Sequence, residues 1–194
     1  VYSKSKSDSA LHHNLRRGRK KRRSHQTTRN FKRVNDGRMD SLPYIDERPS
    51  IVESRTRLGD YERDTVLGKR YGHVLLTIVD PTSCLTKIAK LDSISSTKTH
   101  KATKRLLRGL PVRTITNDNG PEFSKYKLTE KEMQVPIYFN QPYCSWQRGT
   151  NENTNGLIRQ YFPKGFDLSA VELKEINKVE DLLNNRPRKC LGFK

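Results

Sequence analysis

The sequence predicts a mixed-sheet α/β domain preceded by a basic, largely irregular N-terminal arm. Three observations carry this expectation. Short apolar runs with the two-residue period of strands recur from Gly59 onward. Segments of helical period are inserted among them, the pattern of a sheet flanked by helices. Up to Glu53 neither period is found, and the stretch is rich in Ser, Arg, Lys and Asn.

The arm, residues 1–53, carries the loudest compositional signal. The 194 residues include 39 Lys plus Arg against 21 Asp plus Glu, a formal net charge of +18. Residues 1–33 hold twelve of those cations and one acid, Asp8, so this short stretch alone carries +11. Arg16, Arg17, Arg19, Lys20, Lys21, Arg22 and Arg23 fall within eight residues. Such density points to a polyanion, because each cation seated on a phosphate releases condensed counterions. A solvated tail is the bland alternative. An acidic membrane surface fits less well, since the run has no interleaved apolar face. No apolar run approaches the roughly 20 residues of a spanning helix, and the basic N-terminus lacks the apolar stretch of a secretory signal, so export is not expected. Cys84, Cys144 and Cys190 are widely spaced and form no CxxC pair, which argues against a disulfide scaffold and a structural zinc site. The first residue is Val, so a fragment of a longer chain is expected.

Residues 54–194 supply the domain. Residues 61–66 alternate as a short strand, and 72–80 (GHVLLTIVD) form a stronger one that Pro81 ends. Residues 84–91 (CLTKIAKL) read as a third strand of an antiparallel meander. The period then switches: Ala102, Leu106, Leu107 and Leu110 recur at helical spacing over 96–110, closed by Pro111. Residues 112–117 (VRTITN) are strand-like, and Gly120-Pro121 marks a turn into a short polar helix or loop. Residues 135–139 (VPIYF) form another strand; 145–161 read as a helix stopped by Pro163, and 170–183 as a last amphipathic helix.

Three acids stand out by position. Asp64 lies in the first strand (YERDTVLG), Asp118 just past the fourth (NDNGPEF), and Glu152 in a basic, Asn-rich helix (RGTNENTNGLIRQ). Carboxylate oxygens are the ligands that Mg²⁺ and Mn²⁺ prefer. Taken singly, Asp118 before Asn-Gly reads equally as a turn residue, and Asp64 as a paired surface charge.

Four stretches carry a resemblance. Residues 59–68 (GDYERDTVLG), 118–123 (DNGPEF), 142–164 (PYCSWQRGTNENTNGLIRQYFPK) and 184–192 (NNRPRKCLG) resemble the motifs of bacterial transposases of the insertion-sequence-thirty family. Fifty-three residues separate Asp64 from Asp118 and thirty-three separate Asp118 from Glu152, the latter being the interval of that family's DDE triad. The likeness spans roughly residues 44–194. Tyr61 stands where the family usually has Trp, Lys125 and Tyr126 where a His is common, and Gln147 where Glu is usual.

The resemblance implies a ribonuclease-H-like, integrase-type catalytic core that cleaves and joins DNA strands. It implies Asp64, Asp118 and Glu152 as catalytic residues and as ligands of two Mg²⁺ (or Mn²⁺) ions. The implied partners are DNA, both transposon ends and target, and further copies of the chain assembled on it. No membrane and no small-molecule substrate is expected, and the implied location is cytoplasmic, at the bacterial nucleoid. A helix-turn-helix region is not found before the core and the chain stops soon after Arg186-Pro-Arg188, so the expectation is a C-terminally truncated catalytic portion. The rival readings are a remnant that binds DNA without cutting it, and a basic RNA-binding protein whose working part is the arm.

Helical spacing puts Asn155 and Arg159 on the side of Glu152, at i+3 and i+7, with Arg148 covering the turn before. An amide and two guanidinium groups suit a phosphate backbone, so all three are candidate DNA contacts. Asn117 and Asn119 read as loop holders before DNA contacts, Trp146 and Tyr143 as packing residues before base-stacking ones, and Leu157 as facing the core. Gly149 suggests helix packing or the close approach of another backbone.

Overall fold

The computed structural model describes residues 42–69, 72–142, 144–188 and 191–193. The basic run 16–23 lies outside them, as do Tyr143 and the side chain of Trp146. A five-stranded sheet organises the domain: β1 (Asp60–Leu67), β2 (Val74–Val79), β3 (Thr86–Leu91), β4 (Thr114–Asn117) and β5 (Ile137–Phe139) lie in the order β3-β2-β1-β4-β5. The first three pair antiparallel, as the short turns between them require, while β4 and β5 pair parallel to β1 and to each other. A parallel neighbour needs a crossover. Helix α2 (Ser96–Leu106) makes it between β3 and β4, and α3 (Tyr126–Met133) between β4 and β5.

Alternation along the strands sends side chains into two separate cores. Tyr61, Leu76, Ile78, Ala89 and Ile115 point to α2 and α3, meeting Ala102, Leu107 and Tyr126. Val66, Leu75 and Ile88 point the other way, onto α4 (Gly149–Tyr161) and α5 (Leu173–Asn184), where Leu157, Ile158, Ile176, Val179 and Leu183 close the second core. Each fully buried aliphatic side chain contributes about 1.5–3 kcal/mol. Tyr61, in the position where the resembled family usually has Trp, packs in the first of these cores at 2 % exposure.

The structure refines several expected boundaries. Helix α2 ends at Leu106, and Gly109 turns the chain at φ 77, a conformation that residues with a Cβ adopt only at a cost. The ambiguous segment after Gly120 is a 3-10 turn, Pro121–Phe123, followed by α3. Pro136 has no N–H to give the ladder, so β5 starts only at Ile137. The helix expected over 145–161 is divided into a 3-10 turn, Ser145–Arg148, and α4. No heavy atom lies within 4 Å of a Cβ built on Gly149, so close approach of another backbone does not explain that glycine.

The end of the expected arm packs on the domain. Tyr44 bridges to Phe139, whose N–H donates to the Pro43 carbonyl at 2.8 Å. Ile45 and Val52, in the short helix α1 (Ile51–Ser54), are buried, and Arg48 Nη1 donates to the Thr116 hydroxyl at 3.0 Å. Among the described residues no helix is long and apolar enough to cross a membrane.

Candidate active site at the end of the β1–β4 ladder

The register of β1 on β4 places the two aspartates side by side. Arg63 pairs with Asn117 at the last rung of this parallel ladder, so the next residue of each chain segment is an acid, Asp64 or Asp118. Adjacent strands run about 4.8 Å apart, which sets the two carboxylates within reach of one cation. That cation is Arg148, at the start of α4. Its Nη1 stands 3.4 Å from Asp64 Oδ2 and its Nη2 3.5 Å from Asp118 Oδ2. Both separations exceed the roughly 2.7–2.9 Å of a charge-assisted hydrogen bond. Nη1 also donates to the Arg63 carbonyl at 3.3 Å, while the buried Nε has no hydrogen-bond partner.

Burial pushes the Asp64 carboxyl above its ordinary range. Arg148 pulls it back, Asp118 pushes it up again, the Thr65 N–H lowers it, and Glu122 adds to the rise.

Asn155 fixes the direction of Asp64. Its Nδ2 donates to Asp64 Oδ2 at 2.9 Å, and its Oδ1 accepts from the Thr77 hydroxyl at 2.9 Å. Thr77 sits opposite Asp64 in the β1–β2 register, so one strand pair carries both ends of this link. One turn earlier, the Asn151 N–H donates to Glu62 Oε2 at 2.8 Å and ties the first turn of α4 to β1. Desolvation raises the Glu62 carboxyl above its usual range.

The opposite face of β1 is braced by Arg63, 1 % exposed. Its Nε donates to Asn117 Oδ1 at 2.9 Å, its Nη1 to the Thr103 hydroxyl at 2.7 Å, and the guanidinium lies 4.7 Å over the Phe123 ring. Burial pushes this guanidinium down to about 9, against the opposing pull of Glu122. Glu122 Oε1 in turn accepts from the Thr65 hydroxyl at 2.6 Å.

The expected site residues are thus distributed unevenly. Asp64, Asp118, Arg148 and Asn155 meet. Glu152 lies on α4 between Arg148 and Asn155 in sequence, but its side chain is exposed. Among the described residues, no three acidic, His or Cys side chains stand close enough to hold a metal ion together. Arg148, 6 % exposed, lies over the carboxylates, not out toward solvent. Arg159 is partly exposed, its guanidinium lowered by desolvation alone. Asn119 holds the loop, its Nδ2 donating to the Asn140 carbonyl at 2.9 Å, whereas the side chain of Asn117 is turned to Arg63. Glu62, Arg63, Thr77, Glu122 and Asn151 were not singled out by the sequence. The charges of Tyr-Glu-Arg-Asp inside a strand were the available signal for the first two.

No protein-family model matches the chain. It is 46% identical over 188 residues to the transposase for insertion sequence element IS4351 of Bacteroides fragilis, covering 94% of this chain and 56% of that protein. It is 38% identical over 196 residues to the transposase InsI for insertion sequence element IS30A of Escherichia coli K12, covering 97% of this chain and 51% of that one. The chain thus spans about half the length of these curated relatives. Among solved structures, a chain of the simian T-cell lymphotropic virus intasome in complex with PP2A regulatory subunit B56 gamma superposes with a TM-score of 0.51 at 17% identity, over 65% of this chain and 46% of that chain. That likeness places the mixed sheet and its helices in the ribonuclease-H-like fold of integrases. Over most of its length, the chain is a homologue of the IS30-family transposases.

Proposed function

We propose that this domain is the catalytic core of a transposase that cleaves DNA strands and joins them to a target through divalent metal ions. The observation that carries the reading is the register of β1 on β4, which delivers Asp64 and Asp118 as a pair around one positive charge. The donor chemistry fits a hard cation: two carboxylates, one of them mostly buried, with a guanidinium standing between them where a metal charge would sit. Asp64 and Asp118 would hold Mg²⁺ or Mn²⁺, with Glu152 supplied from α4; two ions are expected. Bound there, the metals would activate the attacking oxygen and stabilise the leaving one during phosphodiester displacement.

The residues of the chain do the rest. Asn155 keeps Asp64 turned toward Asp118, and Arg63 holds the end of β4 through Asn117. Arg159 and the cations at 16–23 would seat phosphates of the transposon end and the target, with copies of the chain assembled on the DNA. The nucleophile is water or a DNA 3′-hydroxyl, and no covalent protein intermediate is needed.

The test is strand transfer of a pre-cut terminal-repeat oligonucleotide with Mg²⁺ or Mn²⁺. Asp64→Asn, Asp118→Asn and Glu152→Gln should each abolish it while DNA binding persists. Near-normal transfer by Asp118→Asn removes the triad. A parent chain that binds the oligonucleotide but never cuts it would point instead to a DNA-binding remnant.

A further inference from the structure

We propose that Arg148 is an internal counter-ion that holds the place of the metal between Asp64 and Asp118, and that it must leave this seat for a divalent cation to enter. The inference rests on the metal-binding reading of the two aspartates given above, and it goes further by assigning Arg148 a role that competes with the metal.

Three features of its seat carry the inference. The guanidinium spans both carboxylates, one nitrogen to each, at 3.4 and 3.5 Å. A metal shared by the same two oxygens and this guanidinium cannot occupy one space together. The seat is also poorly finished. Neither contact reaches charge-assisted hydrogen-bond length, and Nε is buried without a partner. A permanent structural ion pair in this setting would satisfy its donors. Finally, Asp64 does not need Arg148 for its orientation, and the backbone leading into Asp118 is held without it. Asn155 holds Asp64 from α4 and Arg63 holds Asn117 beside Asp118. Arg148 therefore supplies charge, and charge is what a metal replaces. Once displaced, it stands at the edge of the site, carrying a free guanidinium for a DNA phosphate.

Mn²⁺ affinity measured by calorimetry on the whole chain tests this, with apo melting temperature as a second readout. Arg148→Gln should bind Mn²⁺ about tenfold tighter than the parent or better, the scale of one charge-assisted contact no longer displaced. It should also melt lower without metal, since two acids then face each other unbalanced, and gain more from added Mn²⁺ than the parent does. Arg159→Gln removes an equal charge, from α4 but from no carboxylate pair, so it should change Mn²⁺ affinity far less. Equal gains from both variants would reduce the effect to through-space repulsion and overturn the exchange. Unchanged Mn²⁺ affinity in a folded Arg148→Gln would also overturn it. If that variant fails to fold, Arg148→Lys takes its place: a single ammonium cannot put one nitrogen on each carboxylate, so it should yield the seat more readily, and Mn²⁺ binding no tighter than the parent's overturns the proposal equally. Asp64→Asn and Asp118→Asn separate the two levels: loss of Mn²⁺ binding in both upholds the metal reading whatever Arg148 does, and retention in both removes that reading and this one with it.

Discussion

Arg63 and Asn117 face each other across the last rung of the β1–β4 ladder, and the Arg63 Nε donates to Asn117 Oδ1 at 2.9 Å. This buried bond lies directly behind the two aspartates. It ties the residue before Asp64 to the residue before Asp118, so the spacing of the carboxylates is set from the far face of the sheet. A fully buried guanidinium is costly to desolvate. Here the cost is offset by Asn117, Thr103, the face of Phe123 and the field of Glu122.

Removing that brace should cost more than a cavity alone. Arg63→Ala leaves Asn117 Oδ1 unpartnered in the core and Glu122 without its countercharge. We expect a stability loss of about 3–5 kcal/mol, read from the urea midpoint. Arg63→Lys retains the charge but cannot reach both Asn117 and Thr103 with the fixed fork of a guanidinium, so it should recover only part of the loss. Full recovery by lysine would mean that charge, not geometry, is what the position needs.

Thr77→Val tests the link that aims Asp64. The change keeps the shape of the side chain and removes only the hydroxyl that Asn155 Oδ1 accepts from. A part-buried acceptor is left short, which costs about 1 kcal/mol. Asn155 then has no fixed orientation from which to hold Asp64. Strand transfer should fall about tenfold at saturating DNA, with DNA affinity little altered, because the loss is of positioning, not binding. A matching loss of affinity would place Thr77 in DNA contact.

Much of this fold is legible in the sequence because its strands alternate cleanly and its helices carry an apolar stripe. The interruption of the 145–161 helix is not: Gly149 stands at the junction of the 3-10 turn and α4, but a lone glycine inside a helical pattern does not mark a break by itself. Residues 42–52 read as arm because Ile45 and Val52 are too few to make a period, yet both are buried. Helical spacing groups Arg148, Asn155 and Arg159 with Glu152, and in the structure Arg148 and Asn155 both reach Asp64. It gives direction without depth, and so cannot tell a DNA-facing arginine from one seated on two aspartates. Thr77 and Arg63 are invisible for a simpler reason: their partners are 78 and 54 residues away.

The arm makes an independent prediction through salt. Seven of the eight residues at 16–23 are basic. If all engage phosphates, their deletion should flatten the slope of log affinity against log salt by about six on duplex DNA, from roughly 0.9 per phosphate. The affinity loss should be alike for all sequences, since phosphate contacts carry no base information. An unchanged slope would leave the arm as a solubility tail.

Two residues near the end of α4 test whether the helix has one buried and one wet side. Leu157 is 7 % exposed and belongs to the core formed with Ile158, Phe162 and α5. Arg159 is partly exposed, and among the described residues it forms no ion pair. Leu157→Ala should therefore lower stability by about 2–5 kcal/mol, with no direct change in DNA affinity while the chain remains folded. Arg159→Ala should leave the melting temperature nearly unchanged and weaken binding of donor DNA ends by about 1.5–3 kcal/mol, the scale of a charge-assisted hydrogen bond to phosphate. Melting and binding measured on both variants give four numbers, and only an amphipathic α4 produces the crossed pattern. If Arg159→Ala destabilises the fold while leaving DNA affinity intact, the side of α4 that carries Arg159 does not meet DNA, and Glu152, seven residues before it on that side, loses its place beside the scissile phosphate.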